Sequence, residues 1–202
     1  RAKDEVVFAD EYERLAKEMQ SSASEEERIA GDKAAEVARV YHAYEKLKRS
    51  AQAVDFGDLV SLPVRLLEGS QEITHALRQV HQHVLVDEYQ DVNRSSVRLL
   101  KALCGEGQNL WVVGDAKQSI YRFRGASSVS MDQFNTHDFP KGARAPLTEN
   151  YRSVPEIART FSHFASALKA ASANSEVKSN QGESGLVPCM RRVDRKVDQV
   201  VA

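Results

Sequence analysis

Two short apolar runs constrain this chain more than any other feature: Val84-Leu85-Val86 and Leu110-Trp111-Val112-Val113. A strand with one wet face alternates apolar and polar side chains, whereas an uninterrupted β-branched run is expected of a strand buried on both faces of a parallel sheet. The first run ends in Asp87-Glu88-Tyr89-Gln90-Asp91 and the second in Gly114-Asp115. Between them, Asn93 can cap a helix running through Leu103.

Helical patterns surround these runs. Residues 4–20 and 25–50 read as helices separated by Ser21-Ser22-Ala23-Ser24, and Ser24 followed by Glu27 forms a capping box. In the longer helix Ile29, Lys33, Val37, Val40, Tyr41, Tyr44 and Leu47 recur at three-to-four spacing, which marks its packing face. Asp55-Phe56-Gly57-Asp58-Leu59 opens an apolar stretch to Leu67, with Pro63 early enough for a first turn or a kink. Gly69-Ser70 closes it, and Ile73 to Val80 is a short helix. Further on, a helix is expected near 127–137, a third strand at Pro146-Leu147-Thr148, and a helix from Pro155 to Leu168 or Ala170. Residues 171–185 read as a polar loop, Leu186 to Met190 as one more strand, and Val193 to Val201 as the start of a helix. Strands alternating with helices indicate an α/β fold with a parallel sheet behind a helical N-terminal region.

Charge and cysteine content exclude several classes. The net charge of −1 rules out a uniformly basic nucleic-acid surface, but residues 1–30, 31–140 and 141–202 carry −4, −1 and +4. Cys104 and Cys189 fit no metal spacing, so a reduced, cytoplasmic setting is expected. No apolar run approaches the ~20 residues that cross a bilayer, so no membrane partner is expected.

Ligands of open parallel sheets bind beyond the carboxyl ends of the strands. Asp after a strand can hold Mg²⁺ through water, and an adjacent Glu can polarise an attacking water. Those positions are Asp87 and Glu88; the plainer alternative is that both cap the next helix. Gln118 can sense a terminal phosphate through its amide. Tyr121 and Phe123 point the same way in an extended segment and suit stacking on unpaired bases, worth roughly 1–3 kcal/mol per base, or else Phe123 packs into the core, as Ile120 is expected to. Arg152 can stabilise charge on a transferring phosphoryl and Tyr151 can stack on adenine, or they form a helix-entry salt bridge and a core aromatic.

Taken in order, Asp87-Glu88-Tyr89-Gln90-Asp91, then Gly114-Asp115-Ala116-Lys117-Gln118-Ser119-Ile120-Tyr121-Arg122-Phe123-Arg124-Gly125-Ala126, then Leu147-Thr148-Glu149-Asn150-Tyr151-Arg152-Ser153 closely resemble motifs II, III and IV of UvrD/Rep-like superfamily 1 helicases. Asp55-Phe56-Gly57-Asp58-Leu59 resembles that family's element upstream of motif II, and Arg122-Phe123-Arg124 is similar to the wording in RecB/AddA-type helicase–nuclease subunits. The resemblance spans about residues 55–165. It implies a partial RecA-like sheet of the P-loop NTPase type. It puts Asp87 at Mg²⁺, Glu88 as the base-like residue, and Gln118 and Arg152 at the γ-phosphate of ATP. Tyr151 would lie against adenine, Tyr121 and Phe123 against single-stranded DNA, and Arg124 would link the DNA segment to the nucleotide cleft.

By the same resemblance, residues 1–75 are the later part of a helical insertion, 76–145 the second half of the first core, and 146–202 the start of the second. No glycine has another five positions later, so the phosphate-binding loop is missing from these 202 residues. The chain is therefore expected to be a fragment of a larger helicase, inactive alone and prone to self-association through uncovered sheet. The implied partners are ATP, single-stranded or partly duplex DNA, and subunits of a helicase–nuclease or repair complex. The competing reading is a degenerate helicase domain serving as scaffold or DNA-binding module, and intact Asp87, Glu88, Gln118 and Arg152 speak against it. An unrelated nucleotide hydrolase would leave Tyr121, Phe123 and Arg124 unexplained.

Overall fold

The computed structural model describes residues 2–119, 129–166 and 177–189. It is mostly helical, with two small parallel sheets, and divides into two compact units, 1–142 and 143–202.

In the first unit a 3₁₀ turn, Ala2–Glu5, precedes α1 (Ala9–Gln20), so the single helix expected over 4–20 is broken. The break falls at Val6, buried with φ 58°, where its N–H and that of Val7 close back on the carbonyls of Lys3 and Ala2. α2 (Glu25–Ser50) is capped by Ser24, whose hydroxyl accepts the Glu27 N–H at 3.5 Å. The expected reciprocal half of the capping box is replaced: the Glu27 carboxylate accepts the Ser22 hydroxyl, and the same hydroxyl takes the Ser24 N–H. The packing face of α2 also differs from the expected one. Gly31, Ala38 and Lys48 are buried, whereas Ile29, Val37, Val40, Tyr44 and Leu47 are exposed. Close approach decides this. A Cβ on Gly31 would lie 2.6 Å from the Gln20 nitrogen, so the small-residue side meets α1 at a distance that bulky side chains cannot reach.

Helix α3 (Asp58–Gly69) continues through Pro63, and Ser70 caps α4 (Gln71–Val80) by accepting the Ile73 N–H. Strand β1 (Val84–Val86) follows, then a 3₁₀ turn (Tyr89–Asp91) and α5 (Arg94–Cys104), capped as expected by Asn93 through the Ser96 N–H at 3.0 Å. Strand β2 (Leu110–Val112) pairs in parallel with β1, with Val84, Leu85 and Val86 opposite Leu110, Trp111 and Val112. Alternation puts Val84, Val86, Leu110 and Val112 on the face that packs against Tyr89, Val97, Leu100, Phe134 and Phe139. On the opposite face Leu85 is 78% and Trp111 70% exposed, so double-sided burial is not met among the described residues. The helix expected near 127–137 is α6 (Val129–Gln133) followed by a π turn, Phe134–Asp138. Asp138, fully buried, accepts from Arg94 at 2.8 Å and also faces Lys101 and His137. Burial pushes its carboxyl up, yet the bonds from His137, Arg94 and Lys101 outweigh this and hold it below the usual carboxylate range.

In the second unit β3 is Glu149–Asn150, three residues beyond the start of the expected strand, and Leu147 is exposed. Its parallel partner β4 (Lys178–Ser179) lies inside the stretch read as loop, while 186–189 form no strand. Helix α7 (Pro155–Ser166) starts at Pro155 as expected, and its Glu156 carboxylate accepts the N–H groups of Ser184 and Gly185 at 2.9 and 2.8 Å. The expected helix at Val193–Val201 lies outside the described residues. No described helix is long and apolar enough to cross a membrane.

Candidate functional site

The β1–β2 ladder extends past both strands: Val113 donates to the Val86 carbonyl and Tyr89 to the Val113 carbonyl, each at 2.9 Å. The segments beginning at Asp87 and Gly114 therefore leave the same end of the sheet side by side. Asp87 is exposed, and its Oδ1 accepts the Glu88 N–H at 2.8 Å. Glu88 sits at φ 50°, ψ 43°, a left-handed conformation that costs a non-glycine residue about 1–2 kcal/mol. Such strain persists where the surroundings over-determine it, and is concentrated at functional sites. Here the surroundings are Tyr89, wholly buried and edge-on to Phe134 (centroids 5.4 Å apart), and Gln90. Burial pushes the Tyr89 hydroxyl up to about 12.

Gln90 is the residue that sequence reasoning passed over. It is 2% exposed, and both ends of its amide are used. Nε2 donates to Glu88 Oε2 at 2.7 Å, and Oε1 accepts the Asp115 N–H at 2.9 Å. A carboxylate needs a donor and an N–H needs an acceptor, so these partners fix the amide's orientation. Its backbone carbonyl also accepts the Ser119 hydroxyl at 3.2 Å. Gly114 is required beside it, since a Cβ there would stand 2.6 Å from Gln90 Oε1. Beyond, Asp115 caps the 3₁₀ turn Ala116–Gln118: Oδ1 accepts the Lys117 N–H and Oδ2 accepts from Gln118 Nε2, both at 2.9 Å. Glu88 and Gln118, expected to share one chemistry, are thus joined through Gln90 and Asp115.

Tyr121, Phe123 and Arg124 lie outside the described residues. In the second unit, Asn150 Oδ1 accepts the N–H groups of Arg152 and Ser153, both at 2.9 Å, an Asx turn that throws Tyr151 and Arg152 off the end of β3. Both are exposed, and Gln181 Nε2 donates to their carbonyls at 2.6 and 3.2 Å. Gln181 carried no signal in the sequence, because it lies in a stretch with no periodicity.

Elsewhere Glu45, Asp55 and Asp58 bring carboxylate oxygens within 4.8 Å of one another. Hard oxygen donors in that number suit a cation, but the chain supplies its own. Lys3 Nζ lies 2.7 Å from Glu45, 2.7 Å from Asp55 and 2.6 Å from Asp58, and Lys48 bonds Glu45 at 2.9 Å and Asp58 as well. Burial opposes charge on Lys3, yet Asp55, Asp58 and Glu45 outweigh it and raise its affinity for the proton. Burial likewise pushes Asp55 and Asp58 up, and the bonds from Lys3 more than reverse this, holding both below the usual range. The cluster ties the Ala2–Glu5 turn, α2 and the start of α3 together.

Residues 3–140 match the family model described as UvrD/REP helicase N-terminal domain. The chain is 41% identical over 133 residues to ATP-dependent DNA helicase UvrD1 of Mycobacterium tuberculosis, covering 62% of this chain and 17% of that protein. It is 40% identical over 123 residues to ATP-dependent DNA helicase PcrA of Bacillus subtilis, covering 61% and 16%. Against ATP-dependent DNA helicase UvrD2 of M. tuberculosis it is 36% identical over 159 residues, covering 77% and 23%. The chain thus spans about a quarter or less of the length of these relatives.

Proposed function

The chain belongs to the UvrD/REP helicase N-terminal domain family, and from that premise we propose that it carries the hydrolytic carboxylates of an ATP-dependent DNA motor. The observation that supports this best is the hydrogen-bonded path from Glu88 through Gln90 and Asp115 to Gln118 at the carboxyl end of a parallel strand pair. In this reading Glu88 polarises the attacking water, and the Gln118 amide meets the γ-phosphate. Arg152 stabilises charge on the transferring phosphoryl, and Tyr151 stacks on adenine. The second oxygen of Asp87 has no partner among the described residues, and an exposed carboxylate of this kind fits Mg²⁺ held directly or through water. Bound there, the ion would neutralise phosphate charge.

Tyr121 and Phe123 stack on single-stranded DNA, and Arg124 links that segment to the nucleotide cleft. A change at Gln118 on hydrolysis then reaches the stacking segment through a few residues, coupling two sites in one element. The fold around it is part of a RecA-like, P-loop NTPase type of protein, with 1–75 the later part of a helical insertion, 76–145 the second half of the first core and 146–202 the start of the second. The motor runs 3′→5′ in the cytoplasm, in repair or recombination. Because these 202 residues hold no phosphate-binding loop, the isolated polypeptide does not turn over ATP. The test is translocation by the complete gene product on single-stranded DNA labelled at one end. ATP-dependent arrival at the 5′ end is expected; absence of any ATP-dependent movement would refute the reading.

A further inference from the structure

We infer that Gln90 is a positioning residue for ATP hydrolysis, holding the Glu88 carboxylate in its working orientation and tying that orientation to the Gly114–Gln118 segment. The inference rests on the reading of Glu88 as the water-polarising group. Glu88 is otherwise exposed and, among the described residues, its carboxylate has only the Gln90 amide as a hydrogen-bond partner, at 2.7 Å. A flexible exposed carboxylate samples several rotamers, and one buried, doubly bonded amide selects one of them. The other end of the same amide is committed to the Asp115 N–H, and its oxygen sits where a Cβ on residue 114 would otherwise stand, 2.6 Å away. Asp115 in turn holds both Gln118 Nε2 and the Lys117 N–H. When Gln118 turns from Asp115 toward a phosphate, the Asp115 segment is released from one of its two side-chain constraints. Among the described residues, Gln90 is the buried side chain whose hydrogen bonds join that segment to Glu88. Hydrolysis is therefore gated by whether Gln118 is engaged.

The experiment uses the complete gene product and measures DNA-stimulated ATP hydrolysis, ATP binding and melting in parallel. Gln90→Glu keeps the shape and the acceptor for the Asp115 N–H but removes the donor to Glu88 once both carboxyls are ionised. It should lower kcat at least tenfold at pH 8 with the KM for ATP changed less than threefold. Gln90→Met removes both bonds and should cost at least as much in kcat, but nothing further when introduced into Glu88→Gln, because its effect passes through Glu88. A Gln90→Glu protein with wild-type kcat at pH 8 would overturn the inference, as would a loss in kcat that persists in full on the Glu88→Gln background. Failure of both variants to fold would also overturn it, marking Gln90 as a residue of the core alone. Wild-type turnover by Glu88→Gln itself would instead refute the underlying reading of Glu88.

Discussion

Replacing Asp58 by Asn tests the claim that the chain's own lysines, rather than a metal, complete the acidic cluster at the start of α3. Asp58 is 4% exposed and accepts from Lys3 at 2.6 Å, from Lys48, and from the Asp55 N–H at 2.9 Å. Asn keeps the volume and one acceptor but turns an N–H₂ group toward an ammonium. At least one charge-assisted bond is lost, worth roughly 1.5–3 kcal/mol, and breaking a buried pair outright costs about 3–5 kcal/mol. Both lysines are about a tenth exposed and keep Glu45 and Asp55, so the lower end applies. The expected loss is about 3 kcal/mol, or about 6–12 °C in Tm for a chain of this size. Urea and thermal unfolding, followed by circular dichroism, measure it. Lys3→Met in the same background should be markedly non-additive, since the two side chains are in contact. A loss below about 1 kcal/mol, or simple additivity, would refute the reasoning. So would a variant whose stability depends on added Mg²⁺ or Ca²⁺.

The same cluster predicts acid sensitivity. Glu45, Asp55 and Asp58 are held below their unfolded values, so their contribution is present at neutral pH and is lost as pH falls through and below about 4; a flat urea midpoint between pH 6 and 3 would contradict this. Gly31→Ala should destabilise by about 1–3 kcal/mol despite alanine's better helix propensity, because its Cβ meets the α1 backbone at 2.6 Å; stabilisation in urea would show that α1 and α2 do not approach so closely. Tyr89→Phe should be neutral or stabilising by about 1 kcal/mol, since the buried Tyr89 hydroxyl has no partner among the described residues; a clear loss in unfolding free energy would reveal a bond to that oxygen.

What the sequence made legible was local. Three-residue β1 and β2, the Asn93 cap and the Pro155 helix start were readable because each depends on neighbours a few residues away. The packing face of α2 was not. Its apolar stripe follows the expected period, but the choice of face is made by the contact of Gly31 with α1, a tertiary fact. Lys3 carried no signal, because its partners Asp55 and Asp58 are 52 and 55 residues away. Strand β4, two residues long in a polar stretch, shows no alternation to detect. In the site, Asp87, Glu88 and Gln118 stood out by residue type and order. Gln90 did not, although it lies between two of them, because its role exists only once Gly114 and Asp115 are folded against it.

The account turns on Glu88 as the group that polarises water for ATP hydrolysis. The most direct measurement compares DNA-stimulated ATP turnover by the complete gene product with that of Glu88→Gln, with ATP affinity measured on both. The variant should bind ATP within a few-fold of wild type and lose at least a hundredfold in kcat. Wild-type turnover by the variant would contradict it.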